Sequence, residues 1–273
     1  MNLDRHSESV RARFSAAAKS YDAHAEVQKA VAERLAGLLP KDLLPGRILE
    51  VGCGTGLLTK HLLKRFPNTS LDALDLSERM IQRAKARFPE ETRIRWLIAD
   101  AAKYQPRLNY PLIASSCSLH WLPDLVEGMR HIAGLLETGG TFAFAIMVYG
   151  TLSELREARL RVAPHKPPLR RLPTASEVRE CVRLSGLTIT QSEEEYYPSL
   201  YPSGRSLLTT LHDQGLTGGE ISHAMLPLNR QEIKDLAHDY EEHYARADGE
   251  VVASFRVLFV VAIRAAGGSA ERH

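Results

Sequence analysis

The feature that most constrains this chain is a short apolar run, Arg47-Ile48-Leu49-Glu50-Val51, that passes directly into Gly52-Cys53-Gly54-Thr55-Gly56 and then into a helical pattern from Leu57 to Phe66. Glycine permits positive φ and lets a ligand reach the backbone. A helix that begins straight after such a turn presents free N–H groups. A strand, a glycine turn and a helix in that order open a parallel βαβ unit. If the unit repeats, the chain is committed to an open α/β sheet.

The unit does repeat. Ser70 to Leu76 reads as a second strand, followed by a helix from Glu78 to Phe88 that Ser77 caps and Pro89 ends. Ile94 to Ala99 is a third strand, Leu112 to Ser116 a fourth, Leu125 to Leu136 a helix stopped by Gly139-Gly140, and Thr141 to Val148 a fifth strand. The period is about thirty residues, and right-handed crossovers leave a doubly wound sheet with helices on both faces. Before this core, Val27, Val31, Leu35 and Leu38 mark a helical region over 8–39, closed by Pro40 and Pro45-Gly46. After it, Thr174 caps a helix to about Ser185, Leu187 to Ser199 suits a strand, 203–246 is mainly helical, and Phe255 to Arg264 is a strong last strand. Ala265 to His273 has little to bury and is expected to be disordered.

Composition excludes several classes. The 273 residues have a net charge of +2, which gives no reason to expect nucleic acid as a partner. Cys53, Cys117 and Cys181 are far apart and odd in number, which points to a reducing cytoplasm rather than a disulfide scaffold. Cys117 and His120 form a lone CxxH with no second half, so no metal site is expected. The charged N-terminus does not read as a signal peptide. The longest apolar runs, such as Val257 to Ile263, are far short of the roughly twenty residues of a membrane helix. The expectation is a soluble cytoplasmic protein with no membrane partner.

The glycine turn suits two cofactor types. A nicotinamide site usually carries GxGxxG, whereas here the spacing is GxGxG with Glu50 at the strand end. A carboxylate beside a pyrophosphate would be repelled, but a cationic sulfonium carrying an ammonium group favours nearby acid. Asp75 ends the second strand, where a carboxylate can accept from both ribose hydroxyls. Asp100-Ala101 ends the third, within reach of an adenine amino group. Any one of these acids would read equally well as a helix cap. Three at successive strand ends point to S-adenosylmethionine, with S-adenosyl-L-homocysteine as product. The candidate cofactor set is Glu50, Gly52, Gly54, Gly56, Asp75, Leu76, Met80, Asp100, Ala101 and Ser116.

Residues 47–148 match class I methyltransferases in type, order and spacing. Further segments narrow the likeness: Arg13-Phe14-Ser15-Ala16-Ala17-Ala18-x-x-Tyr21-Asp22-x-x-Ala25-x-Val27-Gln28, then Ser115-Ser116-x-Ser118-Leu119-His120-Trp121, Gly150-Thr151-Leu152-x-Glu154-Leu155, and Leu172-Pro173-Thr174. With these the chain resembles the malonyl-acyl-carrier-protein O-methyltransferases of biotin synthesis. The resemblance implies a single Rossmann-like methyltransferase domain with seven strands, the last antiparallel in the edge region. It also implies a helical cap over 1–46, a cofactor-binding core over 47–148, and helical lids over 150–182 and 200–250 above the acceptor site.

The implied reaction moves a methyl group to the free carboxylate of a malonyl thioester, on acyl carrier protein or coenzyme A. Tyr21 is expected to fold over the transferred methyl. His120 is a candidate catalytic group, but a carboxylate with a reference pKa of roughly 4 needs no base, so His120 reads better as a hydrogen-bond donor or a structural residue. Ser118 and Trp121 are candidate acceptor contacts, Trp121 equally a core residue. A basic stretch contains Arg156, Arg159, Arg161, His165, Lys166, Arg170 and Arg171. It reads either as a solvated face or as a dock for an acidic carrier protein and its phosphate, with Arg161, Lys166, Arg170 and Arg171 as candidates. One inward Arg could also pair with the malonyl carboxylate. Two alternatives remain open: methylation of another small acceptor, such as aconitate or a quinone ring, and a non-catalytic cofactor-binding role.

Overall fold

In the computed structural model, residues 3–167, 171–216 and 227–265 are described. Three N-terminal helices, α1 (Leu3–Ala17), α2 (Tyr21–His24) and α3 (Glu26–Leu38), precede the sheet. The repeating core then runs β1 (Arg47–Val51), α4 (Leu57–Arg65), β2 (Ser70–Asp75), α5 (Glu78–Arg87), β3 (Ile94–Ile98), β4 (Tyr110–Ser116), a 3₁₀ turn (Leu119–Trp121), α6 (Leu125–Gly134) and β5 (Leu136–Met147). The remainder is α7 (Ser153–Val162), α8 (Ala175–Leu184), β6 (Leu187–Tyr201), α9 (Gly204–Asp213), α10 (Arg230–Tyr244) and β7 (Val251–Arg264). The expected tail, from residue 266 on, lies outside the described residues.

The seven strands are ordered β3-β2-β1-β4-β5-β7-β6. The pairs among β1 to β5 are parallel, and strand order reverses between β1 and β4, where ligands bind in open α/β sheets. The last strand is antiparallel to both β5 and β6. It sits one place in from the edge, which β6 forms.

Both faces of the central strands are covered, so these strands read as near-continuous apolar runs. On one face Ile48 and Leu112 pack with Val31 and Leu35 of α3 and Leu62 of α4. On the other, Leu49, Val51 and Ile113 pack with Met129 and Ile132 of α6 and Val178 and Val182 of α8. Helix α8 therefore belongs to the layer covering the sheet, against α6 and β6. Within the span 150–182 expected as a lid, α7 packs on α10 and β7. The helix expected to run to Leu136 stops at Gly134, and β5 begins at once. Leu136 pairs with Tyr110 and is fully buried, so the chain bonds to β4 rather than winding another turn. Among the described residues no helix is long and apolar enough to cross a membrane.

Candidate active site

The glycine loop is held from three sides. Cys53 N donates to Leu74 O at 2.9 Å, tying the loop to β2. Gly54 N donates to Asp75 Oδ2 at 2.9 Å, and the other oxygen of that carboxylate accepts from Ser77 N at 2.8 Å. Ser118 Oγ donates to Val51 O at 3.1 Å and lies 2.8 Å from Ser115 Oγ. Gly52 has φ +69°, and a Cβ there would meet Ser118 Oγ at 2.4 Å. Ser118 thus supports the loop from below as well as facing the cleft.

Below the loop, Glu50 is 1% exposed and accepts from Thr59 Oγ1 at 2.6 Å. Burial outweighs that hydrogen bond and pushes the Glu50 carboxyl up to about 8. Asp75 is raised as well, again chiefly by desolvation, against the pull of its backbone donors. At the third strand end Asp100 accepts from Ala102 N at 3.0 Å and from Ser7 Oγ of α1 at 2.9 Å.

These groups surround a cleft of about 1040 Å³ at the C-terminal ends of β1, β2 and β4. Glu50, Gly52, Gly54, Asp75, Leu76, Met80, Asp100, Ala101 and Ser116 all line it. Gly56 does not. It ends the loop at φ +87°, where a Cβ would strike Phe88 at 2.7 Å, so its task is close packing of α4 on α5. Helix α1 covers the cleft with Ser7, Val10 and Phe14, held by Ser15 Oγ to Ser77 Oγ (2.8 Å) and by His6 Nε2 to Trp121 O (2.9 Å).

A second cavity of about 350 Å³ adjoins the first, and Phe14, Tyr21, Gln28, Cys117 and Trp121 line both. Cys117 reaches this position with φ 52°, a left-handed conformation that costs energy for a side-chain-bearing residue. Burial raises its thiol to about 12, which leaves it a protonated wall residue. Tyr21 is likewise held as a neutral phenol, its pKa raised by burial and then by the nearby Cys117, Asp75 and Asp22. His120 lines only the smaller cavity. Burial lowers its imidazole to about 3, so it is neutral throughout the physiological range and cannot act as a general base there. Trp121 forms part of the shared wall, edge-on to Phe14 at 5.2 Å between centroids, with the Arg13 guanidinium 5.4 Å from its ring.

Residues 49–142 match the family model described as a methyltransferase domain. The chain is 30% identical to the malonyl-[acyl-carrier protein] O-methyltransferase of Paenibacillus sp. (strain JDR-2), over 90% of this chain and 94% of that protein. The chain belongs to the malonyl-[acyl-carrier protein] O-methyltransferase family. It is also 30% identical to the biotin biosynthesis bifunctional protein BioCD of Bordetella avium, over 87% of this chain and 50% of that protein. Among solved structures it is similar to the YcgJ protein of Bacillus subtilis, with a TM-score of 0.62 and 14% identity over 86% of this chain and 99% of that one. At that identity the likeness speaks for the methyltransferase fold alone.

In this methyltransferase the basic stretch is engaged elsewhere. Arg161 grips Asp239 with two nitrogens, Nη2 at 2.7 Å, and lies near the Tyr244 hydroxyl. Lys166 Nζ donates to Glu232 Oε2 at 2.7 Å, and Arg171 pairs with Glu177 at 2.6 Å. None of the three lines either cavity, which leaves docking of the carrier, outside the cavities, as the role expected of them. Arg170 lies outside the described residues.

Three contributors were not singled out in sequence. Thr59 of α4 reaches back to Glu50, and Gln28 of α3 walls both cavities. Asp22 accepts from Thr55 Oγ1 at 2.6 Å and pairs with Arg87 of α5. Asp22 and Gln28 stand inside the N-terminal motif, which was the available signal. Nothing in spacing links either to the loop.

Proposed function

We propose that the chain transfers a methyl group from S-adenosylmethionine to the free carboxylate of a malonyl group carried on acyl carrier protein, masking a charged chain end for biotin synthesis. The observation that carries the reading is the smaller cavity. Among the described residues its lining contains no Asp, Glu, Lys or Arg, and its imidazole is neutral. Ring-carbon methylation would need a base at this point, and an imidazole near 3 is too weak to serve. A carboxylate, already ionised at neutral pH, requires none. Its largely apolar wall would strip water from that carboxylate and strengthen its attraction to a cation.

The larger cleft suits the cofactor in size and chemistry. When bound, the cofactor supplies a sulfonium methyl as the electrophile. Asp75, with both oxygens already oriented by backbone N–H groups, would accept from the ribose hydroxyls. Asp100 and Ala101 would meet the adenine, Leu76 and Met80 would wall it, and Glu50 would balance positive charge below the loop. Gly52 and Gly54 let the backbone come close, and Ser116 lines the same cleft. Tyr21, common to both cavities, would close over the reacting centre and exclude water. Three unpaired cysteines suit a protein that works in a reducing cytoplasm.

The direct test is transfer of labelled methyl from the cofactor to malonyl-acyl-carrier protein, malonyl-CoA and free aconitate in parallel. Base-labile label on the carrier-bound malonyl group is the expected result. Label on aconitate with none on either malonyl thioester would replace the reading. Growth without biotin of a deficient strain expressing the chain would support it independently.

A further inference from the structure

We infer that the side-chain amide of Gln28 and the imidazole of His120 form an uncharged clamp that receives the acceptor's free carboxylate in the smaller cavity. This inference rests on the reading above and names how that site recognises its substrate.

The two groups come from distant parts of the chain. Gln28 sits on α3 and is 6% exposed, and His120 sits on the 3₁₀ turn after β4 and is 8% exposed. Both line the same cavity, and each carries a buried polar atom with no hydrogen-bond partner among the described residues, Oε1 of Gln28 and Nδ1 of His120. Buried polar atoms in native proteins are almost always partnered, and exceptions mark places where a ligand completes the bonding. Thr151 on the same wall does not share the feature. Thr151 Oγ1 donates to Arg256 O and accepts from Arg256 N, both at 3.0 Å.

The chemistry of the two groups suits an anion. A primary amide exchanges its oxygen and nitrogen by a half-turn, so Gln28 can direct two N–H donors into the cavity. A neutral imidazole has one proton, and on Nδ1 it makes that atom a donor. Tyr21, a neutral phenol on the same wall, supplies another. The two oxygens of a carboxylate have room for these donors together. The absence of charge matters. A guanidinium paired with the acceptor would neutralise the nucleophile and would repel a cationic methyl donor next to it. Neutral donors orient the carboxylate while leaving its charge to be balanced only by the cofactor. The ligand class is a short acyl chain ending in a free carboxylate. Among the described residues no Arg lines the smaller cavity.

The test uses the full chain with its cofactor and malonyl-acyl-carrier protein. Gln28→Glu keeps the shape but places a carboxylate against the acceptor. It should lower kcat/KM by about 100-fold at pH 8, with partial recovery toward pH 6 as the new carboxyl is protonated. His120→Leu should lower kcat/KM by about tenfold, whereas His120→Asn, which keeps a donor near Nδ1, should stay within about threefold of the parent. Cofactor affinity by calorimetry should be unchanged in both His120 variants, because His120 does not line the cofactor cleft. If Gln28→Glu retains the parent's kcat/KM and pH profile, the clamp is wrong. It is equally wrong if His120→Asn and His120→Leu lose the same activity while binding cofactor normally. A parent protein that methylates no malonyl thioester would instead remove the functional reading, and the clamp with it.

Discussion

Asp22 Oδ1 accepts a hydrogen bond from Thr55 Oγ1 at 2.6 Å while its second oxygen pairs with Arg87 at 2.5 Å. One carboxylate thus joins three elements: the short helix α2 that carries Tyr21, the glycine loop and helix α5. Charged hydrogen bonds of this kind contribute about 1.5–3 kcal/mol, although the part-exposed Arg87 contact lies at the low end. Asp22→Ala should therefore weaken cofactor binding by about tenfold and lower kcat further, since Tyr21 loses its anchor. Calorimetry and steady-state kinetics read the two effects separately. Unchanged cofactor affinity would show that the N-terminal segment closes the site without this contact.

Gly52 and Gly56 should respond differently to alanine. At Gly52 a Cβ meets both Cβ and Oγ of Ser118 at 2.4 Å, and the φ of +69° adds strain. Gly52→Ala should abolish measurable cofactor binding. Pairing it with Ser118→Gly removes the clash but not the strain of about 1 kcal/mol, so binding should return in part. Gly56→Ala should mainly lower the melting temperature, because Gly56 packs on Phe88 outside the cleft.

The core was legible because each strand ends in a residue with one clear physical task. The run Arg47–Val51 and the caps at Ser77 and Thr174 stand where periodicity and cap chemistry put them. What escaped was long-range pairing. Nothing local distinguishes Lys166, held by Glu232, from a lysine free to meet a partner, and both have the same place in a basic run. The start of β5 at Leu136 escaped for a related reason. Its burial depends on Tyr110 across the sheet, whereas Gly139-Gly140 looks locally like a helix stop. The neutrality of His120 also arises from packing alone and leaves no trace in a Ser-Leu-His-Trp motif.

The pairing of Arg161 leads to a prediction for the basic stretch. Its guanidinium bridges α7 to α10 through Asp239 and Tyr244, but the side chain is 36% exposed and the pair is screened. Arg161→Ala should lower the melting temperature by about 2 °C and leave the acceptor KM within about twofold of the parent. A tenfold rise in KM for malonyl-acyl-carrier protein at unchanged melting temperature would instead assign this face to carrier docking.

Glu50 should make cofactor binding depend on pH. Without cofactor its carboxyl lies at about 8, against an ordinary value of 4.5, because burial disfavours the charged form. Between those values the folded state holds more protons than the unfolded state, so stability falls as pH rises through that window. Glu50→Gln should flatten the decline. A cationic cofactor favours the ionised carboxylate, which reverses the sign for binding. Affinity should increase by about fivefold from pH 7 to pH 8 and level off above, with proton release at pH 7. Calorimetry in two buffers of different ionisation enthalpy measures that proton directly. In Glu50→Gln the release should shrink to whatever Asp75, also raised by burial, contributes. If the parent releases no proton at pH 7, Glu50 keeps one protonation state through binding, and the cofactor's charge is not what sets it.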